Sequence, residues 1–242
     1  MSFMSEYYNV IGVSSSEDRN KSGENLLNTI GVNEAVKVFP IEMTRQITPL
    51  KDLKATYELY KLFKSENPHI VHTHTPKAGT LGMLAAYLAN VPHRLHTIAG
   101  LPLLEAEGFK RFILNMVEKI TYACATKVYP NSNGLKEIVL KLGFTNESKL
   151  KVLGQGSSNG VDIERFDPSL FSEQSKYELR TSLKIKEHDF VCLFIGRLVS
   201  DKGLNELLAA FNKISSETDQ IKLIFVGSRE KNLDPLSAES EK

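Results

Sequence analysis

Arg197 and Lys202 fall within one short stretch, Gly196-Arg197-Leu198-Val199-Ser200-Asp201-Lys202-Gly203. It lies between an apolar run at residues 190–195 and a helical pattern at Leu204, Leu207, Leu208 and Phe211. The pattern predicts a strand, a short loop and a helix start. Such a junction offers unpaired backbone N–H groups and the positive end of a helix at the carboxyl edge of a parallel sheet. Two cations added there suit a diphosphate. The competing reading is a strand-to-helix turn whose Arg and Lys are merely solvated.

Histidines form the second group. His72 and His74 alternate along a strand expected at residues 69–74, so both should point to one face, and Thr75, Pro76 and Lys77 lead into the next helix. His-x-His suits zinc only with a third ligand, for which His96 is the candidate on a neighbouring strand. No Cys pair or His-Glu helix supports that reading, and no metal is expected. A structural pair and a polar substrate pocket are the other possibilities. His96 is read as ending its own strand, before Thr97-Ile98-Ala99-Gly100, where an imidazole can bond a sugar hydroxyl or move a proton. Gly100 would let a ligand approach the backbone there. A buried imidazole tied to backbone explains His96 equally well. Ser132, at the end of a further strand, reads as a helix N-cap without any ligand.

The chain of 242 residues is 41% hydrophobic and 24% charged, long enough for two modest domains. A formal net charge of +1 gives no field that would favour nucleic acid. Cys124 and Cys192 are too few for a disulfide framework, which suits a reducing cytosol. The longest apolar stretch, residues 81–91, contains an Asn and is too short to span a bilayer, so a cytoplasmic protein is expected, soluble or peripheral. No dinucleotide fingerprint, phosphate loop or G-x-S-x-G elbow occurs, which argues against dehydrogenase, NTPase and hydrolase classes.

The elements that must hold these residues alternate. Strands are expected at residues 9–14, 36–41, 69–74, 94–98, 127–130 and 150–153, and helices at 50–63, 78–89, 109–125 and 132–142. In the 50–63 helix the apolar positions are Leu50, Leu53, Tyr57, Leu59, Tyr60 and Leu62, a helical period ended before Pro68. In the 109–125 helix they are 109, 112, 113, 116, 117 and 120, beside Lys110, Arg111 and Lys119. Core packing explains that stripe most cheaply; a membrane surface is the alternative, weakened by Glu118. Residues 154–162, rich in Gly, Ser and Asn, mark a boundary between a domain at 1–162 and a second at 163–242. The second has a helix at 172–183, strands at 190–195 and 221–227 and a helix at 203–214, too few strands for a complete unit.

With these pieces assembled, the chain resembles the family four glycosyltransferases of GT-B architecture, which pair two Rossmann-like α/β domains with doubly wound parallel sheets. The resemblance rests on Val-His-Thr-His at 71–74, His-Thr-Ile-Ala-Gly at 96–100, Ser-Ser-Asn-Gly-Val-Asp at 157–162 with Arg165 and Phe166, the 196–203 loop, and Leu-Ile-Phe-Val-Gly at 223–227. Residues 75–79 and the Gly-Leu-Pro after Ala99 are most similar to members that build bacterial surface polysaccharide on a polyprenyl-diphosphate carrier. The resemblance implies retaining transfer from a nucleotide sugar, usually UDP-linked, to a lipid-linked acceptor, with no cofactor and possible peripheral contact with the inner face of the membrane. It implies catalytic roles for His96, Arg197 and Lys202, with donor contacts from Gly196, Asn159, Gly160 and Gly203. His72, His74, Lys77 and Gly100 fall to the acceptor.

The family's opening strand with its Gly-containing turn, and its acidic E-x7-E element, have no counterpart in the sequence. The first domain is thus expected to lack a strand and the second to be incomplete, and the chain alone is expected not to catalyse transfer. A nucleotide-sugar epimerase of the same architecture and a non-catalytic module binding nucleotide sugar or a partner are the alternatives.

Overall fold

Short apolar runs separated by amphipathic stretches of helical period dictate alternating strands and helices. The computed structural model, which describes residues 2–15, 26–33, 36–43, 48–157, 160–229, 235–237 and 240, has that order. The elements are α1 (Ser2–Ser5), β1 (Ile11–Ser14), α2 (Leu26–Asn33), β2 (Lys37–Pro40), α3 (Pro49–Glu66), β3 (Ile70–Thr73), α4 (Pro76–Leu88) and β4 (His93–Ile98). They continue with α5 (Gly108–Cys124), β5 (Lys127–Pro130), α6 (Asn133–Lys141), α7 (Glu173–Ser182), β6 (Phe190–Ile195), α8 (Leu204–Ser215) and β7 (Ile221–Val226). The chain divides into two compact units, Met1–Gly160 and Val161–Lys242.

In the first unit β3, β4 and β5 form one parallel ladder, with Thr73 opposite His96 and His96 opposite Val128. β1 and β2 form a second parallel ladder, and no strand pairing joins the two among the described residues. Within each ladder the strands keep the parallel sense expected of an α/β domain. The core on the three-stranded sheet gathers Val71, Met83, Ile98, Tyr122, Val128 and Val139, and a smaller cluster joins Ile41, Ala55, Leu59, Leu81 and Ala85. Residues 150–153 do not form the expected strand. Leu150 makes one isolated bridge to Val128, and the chain then leaves through Gly154 into the loop.

The small residues of α4 set its distance from the sheet. A Cβ on Gly79 would collide with the His96 ring, and one on Gly82 with the Thr73 methyl. Pro49 opens α3 and Asn67 ends it with a left-handed φ of 45°; Ser132 caps α6 by accepting from the Leu135 N–H at 3.1 Å.

The α5 stripe expected in the core is largely exposed, and in α3 only part of the apolar period is buried. In α3 the buried residues are Ala55, Thr56 and Leu59, whereas Leu50 is 85% and Leu53 70% exposed. In α5 the buried side is Glu118, Thr121, Tyr122 and Cys124, while Phe109, Phe112, Met116 and Ile120 face solvent. A tightly packed contact selects small and polar groups over the larger side chains that periodicity picks out. Thr121 shows how: its hydroxyl reaches the Val117 carbonyl at 2.8 Å and Thr80 Oγ1 at 2.9 Å, satisfying polar atoms inside the helix contact.

The second unit is built on β6 and β7, parallel from Phe190 opposite Ile221 to Ile195 opposite Val226. Gly227 follows β7 so close to the Gly196 carbonyl that no side chain fits. Gly79→Ala in the first unit should lower stability by about 1 to 3 kcal/mol, the usual cost of overpacking, because His96 is fixed by its neighbours. Urea unfolding followed through tyrosine fluorescence checks this, and an unchanged midpoint would refute the fit.

Candidate functional site

At the carboxyl edge of the first unit, three strand ends converge, as the parallel register requires. His72 lies on β3 and His74 just beyond it, with their rings 4.3 Å apart, and His72 Nε2 is 2.8 Å from Thr97 Oγ1 on β4. Both line a groove of about 750 Å³, together with Ser14, Thr75, Pro76 and Lys77. The groove leaves His72 accessible to water on one side. Even so, desolvation by the surrounding chain, and then the charge of His74, lower its pKa to about 4, and desolvation lowers that of His74 as well. Both imidazoles are therefore neutral at pH 7 and act as hydrogen-bonding groups.

Lys77 enters from the first turn of α4, and its Nζ is 2.6 Å from Asp52 Oδ2. Asp52, in the first turn of α3, also accepts from the Thr48 N–H at 3.2 Å and the Thr48 hydroxyl at 3.0 Å. No local pattern marks this partner, because Asp52 stands on another helix, 25 positions away. Thr75, between His74 and Pro76, has φ 66° and ψ 147°, a region that belongs almost wholly to glycine. Such strain costs about 1 to 3 kcal/mol and clusters at functional sites.

His96 departs from its expected position. β4 runs on to Ile98, so His96 sits inside the strand, and the residue is only 3% exposed. Its Nδ1 is 2.9 Å from Thr73 Oγ1, and its ring packs near Tyr122 with centroids 5.9 Å apart. Desolvation is the main cause that brings its pKa to about 4; the charges of His72 and His74 add to it, and a hydrogen bond with Thr73 opposes it. His96 thus does not share the open groove with His72 and His74. It borders a smaller pocket with Thr75, Thr97, Gly100 and Glu118. Among the described residues no group of three or more His, Cys, Asp or Glu is placed to hold a metal ion.

Glu118 is a further residue that sequence reasoning did not select for this site. The residue is only 7% exposed, and burial pushes its pKa up, opposed by Tyr122. The Tyr122 hydroxyl is buried without a partner in good hydrogen-bond geometry, so that opposition reflects proximity more than a formed bond. Gly100 has open space where a side chain would stand.

The second unit carries the cations. Arg197 follows β6, and a 3-10 turn at Ser200–Lys202 leads through Gly203, at φ 71°, into α8. Asp201 lies between the two, with Arg197 Nη2 at 3.4 Å and Lys202 Nζ at 3.6 Å from its Oδ2. Both cations are about half exposed, so the carboxylate holds them side by side while each still meets solvent. Gly196, Arg197, Lys202 and Gly203 are thus gathered on one loop at the carboxyl end of β6. Gly160 is exposed at the end of the first unit, and Asn159 lies outside the described residues.

Two family models match the chain, the Glycosyl transferase 4-like domain over residues 22–156 and Glycosyl transferases group 1 over residues 175–242. The chain is 39% identical over 198 residues to the capsular polysaccharide biosynthesis glycosyltransferase CapM of Staphylococcus aureus, covering 82% of this chain and 50% of the relative. It is 35% identical over 177 residues to a UDP-Gal:alpha-D-GlcNAc-diphosphoundecaprenol alpha-1,3-galactosyltransferase of Escherichia coli, covering 71% and 43%. The chain spans about half the length of the curated relatives it matches. A glycosyltransferase structure from Rickettsia africae superposes with a TM-score of 0.64 at 18% identity, over 94% of this chain and 62% of that one, which establishes the shared GT-B-like α/β fold.

The neutral histidines carry a pH signature. His72 and His96 are harder to protonate in the folded chain, near 4, than at their ordinary value of 6.5, so the folded state binds fewer protons between those limits. Stability should be complete above pH 6.5 and fall as the pH drops towards 4, with His96 alone contributing about 3 kcal/mol. Imidazole carbon shifts recorded by NMR should titrate near 4 for both residues, and His96→Gln should flatten the stability profile. Titration of His96 near 6.5 would contradict its burial.

Proposed function

Because the chain belongs to the Glycosyl transferase 4-like family, we propose that the protein moves a sugar from a nucleotide-sugar donor to a polyprenyl-diphosphate-linked acceptor, with retention at the transferred carbon. The observation that carries this reading is the loop where Arg197, Lys202 and the start of α8 converge at the carboxyl end of β6. The donor's diphosphate is the leaving group, and its charge grows as the sugar departs. Cations held ready there stabilise the transition state more than the bound donor. Asp201 orients both and yields them to the stronger phosphate charge. The UDP named for the Escherichia coli relative supports a UDP-linked donor. No cofactor enters this scheme.

On the acceptor side, Lys77, held by Asp52, presents a cation to a lipid-linked diphosphate, and neutral His72 and His74 bond sugar hydroxyls without competing for charge. His96 acts on this edge through its packing: it fixes Thr73 and borders the pocket under Gly100. A membrane-bound acceptor calls for a protein that reaches the membrane surface. No helix among the described residues is long and apolar enough to cross a bilayer. The exposed side of α5 offers Phe109, Phe112, Met116 and Ile120 beside Lys110, Arg111 and Lys119, and Glu118, turned into the core, does not repel lipid from that face. We place this helix on the cytoplasmic face of the membrane.

Arg197→Ala and Lys202→Ala, each made in a full-length protein, should slow transfer to an undecaprenyl-diphosphate-linked sugar by a factor equivalent to about 2 to 4 kcal/mol. Mass spectrometry of the lengthened lipid product measures it; turnover within a few-fold of the parent for both variants would remove the diphosphate assignment. Phe109→Ser and Phe112→Ser should each weaken binding to anionic phosphatidylglycerol vesicles by roughly tenfold, as expected from losing one buried aromatic ring. Co-sedimentation unaffected by either change would detach α5 from the membrane.

A further inference from the structure

The small pocket bordered by His96, Thr97, Gly100 and Glu118 shares Thr75 and Pro76 with the groove that holds His72, His74 and Lys77. One strained segment therefore lines both spaces. The pocket offers about 10 Å³ to the centre of a water molecule, room for about one water. Glu118 is the acid on its wall, reaching it from the buried side of α5. No cation offsets the desolvation of this carboxyl; Tyr122, one turn further along α5, opposes it without a bond of good geometry. Burial thus favours the neutral acid, which carries an O–H to donate. A buried carboxyl without a partner is costly, and a leucine would fill the same space. The donor is what a leucine lacks.

His96 supplies the acceptor. Its Nδ1 lies 2.9 Å from Thr73 Oγ1, and the Thr73 hydroxyl is itself directed at the Leu95 carbonyl, 3.5 Å away. The ring's bond with the Thr73 backbone raises its pKa, the effect of a ring N–H reaching a carbonyl oxygen. Both contacts belong to Thr73, which assigns the ring proton to the nitrogen facing it, Nδ1. A neutral imidazole then keeps a lone pair on Nε2. No hydrogen bond to Nε2 forms among the described residues, and a buried acceptor left in that condition is costly. A neutral carboxyl and a bare Nε2 are complementary, one a donor and the other an acceptor, and their two residues border the same one-water space.

We propose that Glu118 is a positioning residue for His96: its carboxylic acid O–H donates, through one water in the small pocket, to Nε2 and fixes the imidazole in the Nδ1–H form against Thr73. A single chain of hydrogen bonds then runs from the Leu95 carbonyl through Thr73 of β3 and His96 of β4 to Glu118 of α5. Each donor in it has an acceptor, the condition under which a buried polar network rigidifies its surroundings. Those surroundings are Thr75 on one side and the turn from Thr97 to Gly100 on the other, both at the carboxyl edge. The consequence for catalysis rests on the reading of this edge as the acceptor side of sugar transfer; the bond between Glu118 and His96 does not.

Nitrogen-15 NMR of the histidine rings in the chain of 242 residues tests the bond directly. His96 should carry its proton on Nδ1 and show at Nε2 the shift of a lone pair that accepts a hydrogen bond. Glu118→Leu should move Nε2 to the shift of an unbonded nitrogen, whereas Glu118→Gln, which keeps an N–H to donate, should retain the parent shift. Tyr122→Phe should leave it unchanged, since the Tyr122 hydroxyl is not the donor. In a full-length protein, Glu118→Leu should lower kcat for transfer by about tenfold with little change in KM, and Glu118→Gln should stay within about threefold of the parent. A proton on Nε2 in the parent protein, or an Nε2 shift indifferent to Glu118→Leu, would overturn the proposal. Undiminished transfer by Glu118→Leu alongside the expected ring shifts would instead remove this edge from the transfer reaction.

Discussion

The fit of the His96 ring against Gly79 governs the carboxyl edge of the first unit. A side chain as small as a methyl on Gly79 would occupy the space of the imidazole, so α4 lies on β4 only because this position has no Cβ. The same ring bonds Thr73 on β3 and packs near Tyr122 on α5, so one buried group ties two strands and two helices together. Burial keeps the ring neutral, because a charge there would lose its hydration. The strained Thr75 and the groove histidines project from this fixed base. A rigid support of that kind is what lets a strained backbone persist.

The cations are controlled by carboxylates in both units. Lys77 is held by Asp52, which is itself bonded by Thr48 at the start of α3, and Arg197 and Lys202 share Asp201. At the half-exposed Arg197, Lys202 and Asp201 such pairing adds little stability. Its value lies in restricting long side chains to one direction, so less freedom is lost when an anion arrives. The two Asp residues also differ in reach. Asp201 belongs to the same loop as its partners, whereas Asp52 links two helices and fixes the start of α3 relative to the start of α4.

Much of this was legible in the chain itself. Element order follows from periodicity, and strands β5 and β6 have the ends expected from their apolar runs. The Arg197 to Gly203 loop follows from local chemistry alone, since strand, turn glycine and helix start are consecutive. Ser132 as a cap is likewise a short-range matter of one hydroxyl and the N–H three residues on. The faces of α3 and α5 were not legible, because helical period identifies an apolar stripe and is silent on whether a neighbour covers it. Leu50, Leu53, Phe109 and Phe112 satisfy the period and meet water. The extra strand expected at residues 150–153 failed for a related reason: a short apolar run becomes a strand only where an edge accepts it along its length, and β5 accepts Leu150 alone.

By itself the sequence determined the alternating α/β pattern, the glycosyltransferase family and the loop that gathers Arg197 and Lys202, all of which depend on neighbours along the chain or on motifs kept in register. Only the tertiary structure decided that His96 is packed inside β4 away from the open groove, that Lys77 answers to Asp52, that Glu118 is buried, and that β1 pairs with β2 while β3, β4 and β5 form a ladder of their own. Each of these depends on residues distant in sequence brought within a few ångströms. Desolvation, ion pairing and strand pairing act at that range, and no local pattern encodes which distant group will arrive there.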